Sequence, residues 1–256
     1  MTDNHKHSDK CDSGDEPAAA AMAPALLIAS GWKDDLHAYR DLIGELTDRG
    51  WRTAIVALPQ ESEALQTRRH HLSLLEASAD ELFGRTGPHA PGAGLRCLLG
   101  FSYGGYMGVL LSRTRKLDAI VLRSPAMYGD SGWDVPKDEL DEQNIATLRE
   151  EDLGPAANMA LAAASEFSGD VVLFEAELDK VVPHQTHINY HRAFSSRHPC
   201  QWEVLRGADH ALENPAHRAE FFRKAGAWLT QLQDRAKGHA EFGSSRRSFN
   251  AGANIA

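Results

Sequence analysis

A short apolar run, residues 95–99, leads directly into Gly100-Phe101-Ser102-Tyr103-Gly104, and a helical pattern begins immediately after Ser102. This succession of strand, Gly-x-Ser-x-Gly and helix constrains the chain more than any other feature. A serine on so sharp a strand-to-helix turn takes backbone angles that few residues adopt, and its hydroxyl then projects above the sheet. A Cβ atom two residues to either side would collide with the adjoining strand and helix, which accounts for Gly100 and Gly104. The first N–H groups of the following helix point to the same place, where a developing oxyanion is stabilised. The segment therefore predicts an α/β fold with a nucleophile elbow at Ser102.

The rest of the chain supplies the neighbours that such a turn requires. Apolar strands are predicted at 25–30, 53–58, 95–99, 119–123, 171–176 and 202–205. Between them run helical patterns at 35–49, 62–83, from Ser102 through Met107, Leu110 and Leu111, then 184–196 and 215–232. The first carries Leu36, Tyr39, Leu42, Ile43 and Leu46 on one side and ends at Gly50. A glycine- and proline-rich loop is predicted at 84–94. Such alternation implies a mostly parallel sheet of about six strands with helices on both faces. There is no internal repeat, and 256 residues suffice for one domain of this kind, placed at 24–234 between flexible tails at 1–23 and 235–256. One stretch breaks the alternation. Residues 127–169 hold Trp133, Pro136, an acidic helix-like run at 137–152 and an alanine-rich run at 155–165. They read either as a small cap over the carboxyl ends of the strands, where ligands bind in open α/β sheets, or as a long crossover with two helices.

Charge and cysteines narrow the function classes. A formal net charge of −9 leaves no basic excess to neutralise phosphates, which argues against a nucleic-acid partner. Arg68-Arg69-His70-His71 reads as the solvated face of a helix. Cys11, Cys97 and Cys200 form no paired framework, and Cys97 falls inside an apolar strand as a buried free thiol, which suits a reducing, cytoplasmic setting. The beginning of the chain lacks a basic-then-apolar signal pattern, and no run reaches the roughly 18 apolar residues of a membrane span. His5, His7 and Cys11 sit in a tail without a scaffold, so neither a metal nor another cofactor is expected.

A serine hydroxyl is a weak nucleophile until a base takes its proton, so the elbow calls for a histidine and an orienting acid elsewhere. Asp179 follows the fifth strand in Glu175-Ala176-Glu177-Leu178-Asp179-Lys180-Val181-Val182-Pro183, and His210 follows the sixth in Arg206-Gly207-Ala208-Asp209-His210. Loops after parallel strands share one edge of the sheet, so Ser102, Asp179 and His210 can converge. Asp179 also reads as a helix cap ahead of Pro183, with Glu175 and Glu177 as competing acids, and Asp209 as a loop cap. His184, His187 and His191 share a helix face with no acidic or cysteine partner nearby, and read as solvated rather than metal-binding. The oxyanion donors are expected to be the N–H groups of Tyr103 and, beyond Gly31, Trp32. Trp32, Tyr103, Met127, Tyr128 and Trp133 are expected to line the substrate pocket.

In Gly100–Gly105, in Asp179 with Val182-Pro183, and in Gly207-Ala208-Asp209-His210, the chain resembles the α/β-hydrolase superfamily, over about residues 25–232. The resemblance implies an active site at the strand carboxyl ends and hydrolysis through an acyl-enzyme, with no cofactor. The first predicted strand already precedes the oxyanion loop, so the antiparallel hairpin that often opens the family's sheet is missing. This resembles compact dienelactone-hydrolase-like or esterase-like members. Those members often carry a cysteine where this chain has Ser102, and Ser30-Gly31 replaces the family's common His-Gly pair. Ser102–Met107 also resembles the elbow of prolyl-oligopeptidase-type peptidases, although nothing here could form their β-propeller. The resemblance implies a small ester or thioester as substrate. Peptide or amide cleavage, acyl transfer, or ligand binding on the same scaffold are the alternatives.

Overall fold

The computed structural model describes residues 23–58, 67–84 and 94–251, with side chains described up to residue 238. Residues 1–22 of the expected tail at 1–23, with His5, His7 and Cys11, lie outside the described residues, as do 62–66 of the second expected helix and 85–93 of the loop.

Six strands form one sheet: β1 (Ala25–Trp32), β2 (Arg52–Leu58), β3 (Arg96–Phe101), β4 (Ala119–Arg123), β5 (Asp170–Ala176) and β6 (Cys200–Leu205). Their order is β2-β1-β3-β4-β5-β6 and every neighbouring pair is parallel. The central strands β3 and β4 are buried at every residue, as sequences that are apolar without alternation require when both faces are covered. Along β1, Leu26 and Ile28 pack into one core layer while Leu27 and Ala29 pack into the other. The first layer is closed by α1 (Arg40–Asp48) and α7 (Pro215–Ala251), through Leu42, Leu46, Phe221, Ala225 and Leu229. The second is closed by α2 (Arg68–Phe83), α3 (Tyr103–Leu111), α5 (Met159–Glu166) and α6 (His184–Phe194).

Helix ends follow the caps. The expected helix at 35–49 begins as a 3-10 turn, Leu36–Tyr39, because Asp35 accepts from the His37 N–H and fixes the tighter start. The closing helix, expected to stop at Leu232, continues through Ala251. Between 233 and 247 no proline interrupts it, and the helix runs on through Gly238 and Gly243.

The irregular stretch after β4 divides in two. Asn158 caps α5, whose Ala160, Leu161, Ala163 and Ala164 are buried within the core layer, so this half is an ordinary crossover helix. The other half, with a 3-10 turn at Lys137–Glu139 and α4 (Glu142–Glu150), lies over the carboxyl edge of the sheet. The polar run at the start of α2 is a solvated face only in part, with Arg69 exposed. Arg68 and His71 are both buried. Arg68 donates to the Tyr106 hydroxyl and to the carbonyls of Gly129 and Ser131, and so pins the beginning of the cap to the core.

Candidate active site

Ser102 occupies the single residue between β3 and α3, with φ 50° and ψ −115°. Neighbours crowd this turn from two sides. A Cβ on Gly100 would lie 2.6 Å from the Gly105 Cα, and one on Gly104 would lie 2.2 Å from the carbonyl oxygens of Ala29 and Ser30. The turn is locked to β4, because the Ser102 N–H donates to the Arg123 carbonyl at 3.0 Å and the Ala126 N–H donates to the Ser102 carbonyl at 2.9 Å.

The loops after β5 and β6 bring two further side chains to this edge. Ser102 Oγ lies 3.0 Å from His210 Nε2, and His210 Nδ1 lies 2.7 Å from Asp179 Oδ2. The other carboxylate oxygen of Asp179 accepts the N–H groups of Val181 and Val182, each at 2.8 Å. Asp179 thus caps the turn before α6 and binds His210 at the same time. Burial by itself would raise the Asp179 carboxyl, but the hydrogen bonds from His210, Val182 and Val181 outweigh it and hold the group below the usual carboxylate range. The competing acids are engaged elsewhere. Glu175 binds His184 Nδ1 at 2.7 Å and the Trp202 indole N–H at 3.1 Å, while Glu177 accepts from Arg206 and the Gly207 N–H. Asp209 accepts from the Glu213 N–H, as a loop cap should. The α6 histidines do not form a solvated row: His187 is fully buried and its Nδ1 lies 3.2 Å from the Pro183 carbonyl.

Sequence reasoning missed Arg123. It ends β4, is 5% exposed, and donates to the His210 carbonyl at 2.8 Å. Its guanidinium lies 3.2 Å from the centre of the Phe101 ring, and that ring packs 5.1 Å from the His210 imidazole. One cation therefore braces both the backbone and the ring of His210. Burial pushes Arg123 down to about 10, which leaves it charged at neutral pH. The available signal was an arginine closing an otherwise apolar strand.

Trp32 ends β1 beyond a register shift, where the Ser30 hydroxyl accepts the Leu58 N–H at 3.0 Å in place of the regular ladder. Gly31 permits the close approach, since a Cβ there would lie 2.6 Å from the Phe101 ring. The Tyr103 side chain turns into the core, where its hydroxyl is hydrogen-bonded to His71 Nδ1 at 2.8 Å. Burial keeps that phenol protonated far above neutrality. Burial, then the charges of His70 and Lys137, push His71 down to about 4, so its imidazole is neutral.

Over Ser102 and His210 opens a cavity of about 530 Å³. The sheet side contributes Trp32, Phe101 and Tyr103, and the cap contributes Tyr128, Lys137, Ile145 and Arg149. Two of the expected lining residues are elsewhere. Met127 is fully buried in the core, with its carbonyl accepting from Arg149, and Trp133 lies on a separate groove beside Arg69 and Leu72. The Arg68 clamp explains the second displacement, for its guanidinium sits 5.2 Å from the Trp133 ring and holds that ring on the far side.

Among the described residues no group of three histidine, cysteine or acidic side chains is placed to hold a metal ion, and no helix is long and apolar enough to cross a membrane. Neither a protein-family model nor a curated protein sequence matches the chain. Solved structures do. An esterase domain from Rhodothermus marinus superposes with a TM-score of 0.57 at 18% identity, over 85% of this chain and 90% of that one. A monoacylglycerol lipase from Paleococcus ferrophilus gives 0.58 at 16% identity, over 82% and 96%. A structure from work on carboxylesterases of Nitrososphaera gargenis gives 0.57 at 14% identity, over 82% and 92%. At such identities the likeness is one of architecture, and together with the all-parallel sheet and the turn at Ser102 it shows that this chain has the α/β-hydrolase fold.

Proposed function

We propose that the chain is a serine hydrolase that cleaves small carboxylic esters or thioesters through an acyl-enzyme. The observation that carries this reading is the unbroken hydrogen-bonded line from Ser102 Oγ through the His210 ring to Asp179. His210 Nε2 takes the Ser102 proton as Oγ attacks the carbonyl carbon. The oxygen that gains charge is received by the N–H of Tyr103, at the first turn of α3, and by that of Trp32. Asp179 stays ionised and stabilises the imidazolium, which then gives its proton to the departing alcohol or thiol. A water molecule repeats the sequence on the acyl-enzyme and releases the acid. That the similar structures include an esterase domain and a monoacylglycerol lipase supports the same reaction class. A cytoplasmic setting accords with Cys97 and Cys200 both being free thiols.

A fluorophosphonate probe is expected to label the native protein and not Ser102→Ala. A panel of 4-nitrophenyl esters, acyl-CoA thioesters and aminoacyl amides then reads the preferred carbonyl. A native protein that takes no label and turns over no member of the panel overturns the proposal.

A further inference from the structure

The cavity above Ser102 contains charge that the hydrolysis just described leaves unused. Lys137 reaches into it from the cap, with Nζ 4.5 Å from the centre of the Trp32 ring, 5.9 Å from that of Tyr103 and 6.0 Å from that of Tyr128. Its neighbour Asp138 is already occupied, accepting the Trp32 indole N–H at 3.1 Å and pairing with Lys33 at 3.3 Å. Those two contacts fix the turn that carries Lys137. Among the described residues no carboxylate lies within ion-pairing distance of the Lys137 ammonium. Asp34, on the cavity wall, accepts the Tyr39 hydroxyl at 2.6 Å and the Gly31 N–H at 3.3 Å. Glu142, exposed at the first turn of α4, also lines the cavity but is in ion-pairing contact with neither Lys137 nor Arg149.

Arg149 lines the same cavity from α4 and is buried. Its Nε donates to the Met127 carbonyl and its Nη1 to the Val181 carbonyl, both uncharged, and its guanidinium lies 5.1 Å from the Tyr128 ring centre. Lys137 and Arg149 therefore face one aromatic-walled cavity whose lining carboxylates, Asp34 and Glu142, lie outside ion-pairing distance of both. Taking a charge out of water is unfavourable unless a counter-ion meets it, and aromatic faces offset only part of that. Burial accordingly lowers the Lys137 ammonium from its ordinary value.

We propose that the substrate carries a free carboxylate and that Lys137, backed by Arg149, receives it. This inference rests on the hydrolase reading above. Trp32 and Tyr103, whose rings flank the ammonium, are also the residues whose N–H groups face the scissile carbonyl in that reading. The carboxylate is therefore a few bonds from the ester, either on the acyl part or on the leaving group.

Two pairs of probes separate those sources. Mono-4-nitrophenyl adipate is compared with 4-nitrophenyl methyl adipate for the acyl side, and 4-carboxyphenyl butyrate with 4-carbamoylphenyl butyrate for the leaving side. The native protein is expected to favour the anionic member of one pair by about tenfold or more in kcat/KM, the size of one charge-assisted hydrogen bond. Lys137→Gln is expected to bring that ratio near one, and Lys137→Arg to restore most of it. A native ratio near or below one in both pairs overturns the inference without need of any variant. So does a ratio that Lys137→Gln leaves intact in a protein whose circular dichroism matches the native. Turnover of the neutral esters, lost in Ser102→Ala, keeps the hydrolase reading standing when this inference fails. Failure to cleave any of the four esters, with no probe labelling, removes both.

Discussion

The two walls of the cleft share buried arginine clamps but differ in the exposed pairs that complete them. On the sheet wall, Asp179 and His210 are 3% and 17% exposed at their side chains, and their contacts run to backbone N–H and C=O groups or to the buried Arg123. On the cap wall, the latch between Lys33 and Asp138 joins side chains that are 62% and 54% exposed, and the neighbouring Arg69–Asp134 pair is 65% and 70% exposed. Exposed pairs of this kind contribute about 0–1 kcal/mol each, whereas buried hydrogen-bonded groups are costly to leave unpaired. The sheet wall fixes the hydrogen-bonded line of Ser102, His210 and Asp179 on which the proposed proton transfer depends. The cap wall is clamped to the core by the buried Arg68 and Arg149, but its turn at Lys137–Glu139 is latched by exposed pairs, and in the proposed reading it is this turn that meets the substrate.

That contrast can be broken deliberately. His210→Ala removes the proposed base and is expected to lower kcat/KM by about four orders of magnitude while shifting the melting temperature little, as steady-state kinetics and calorimetry would show. Arg123→Met keeps the volume of the brace but deletes the donor to the His210 carbonyl. It should lower kcat by about ten- to a hundredfold with KM little changed, because a base displaced by a fraction of an ångström fails in the chemical step. An effect confined to KM would move Arg123 out of the sheet wall's function. Asp138→Ala releases the cap latch and should raise KM by about two- to fivefold with kcat within about twofold, the mark of a contact worth under 1 kcal/mol. A large loss of kcat in Asp138→Ala would show that the two walls are not independent.

The strands, their order of appearance and the convergence of Ser102, Asp179 and His210 were legible because each depends on local pattern together with a general rule. Apolar runs of five or six residues make buried strands, and loops after parallel strands share an edge. Arg68, His71 and Arg123 were not legible. A buried arginine is stabilised by carbonyls and rings that are distant in sequence, such as Gly129 and Ser131 for Arg68 or His210 and Phe101 for Arg123, and no periodicity announces them. Met127 and Trp133 were misplaced for the same reason. Residues just after β4 were legible as neighbours of the site, but the direction of each side chain is decided by the Arg68 and Arg149 clamps. The split of 127–169 into cap and crossover depended on which helix found the core. The alanine face of α5 did so, whereas Ile145 and Ala146 of α4 look into the cavity.

The turn at Ser102 has a thermodynamic consequence. A residue with a Cβ at φ 50° and ψ −115° stands in a region that glycine visits freely, and the conformation costs it about 1–3 kcal/mol. Ser102→Gly would relieve that strain, against roughly 0.5–1 kcal/mol of added unfolded-state entropy. This variant, inactive in the proposed reading, is therefore expected to melt a few degrees above the native protein. A chain with no chemistry to perform would be more stable without this side chain, so the serine is held against the preference of its own backbone by the rest of the fold.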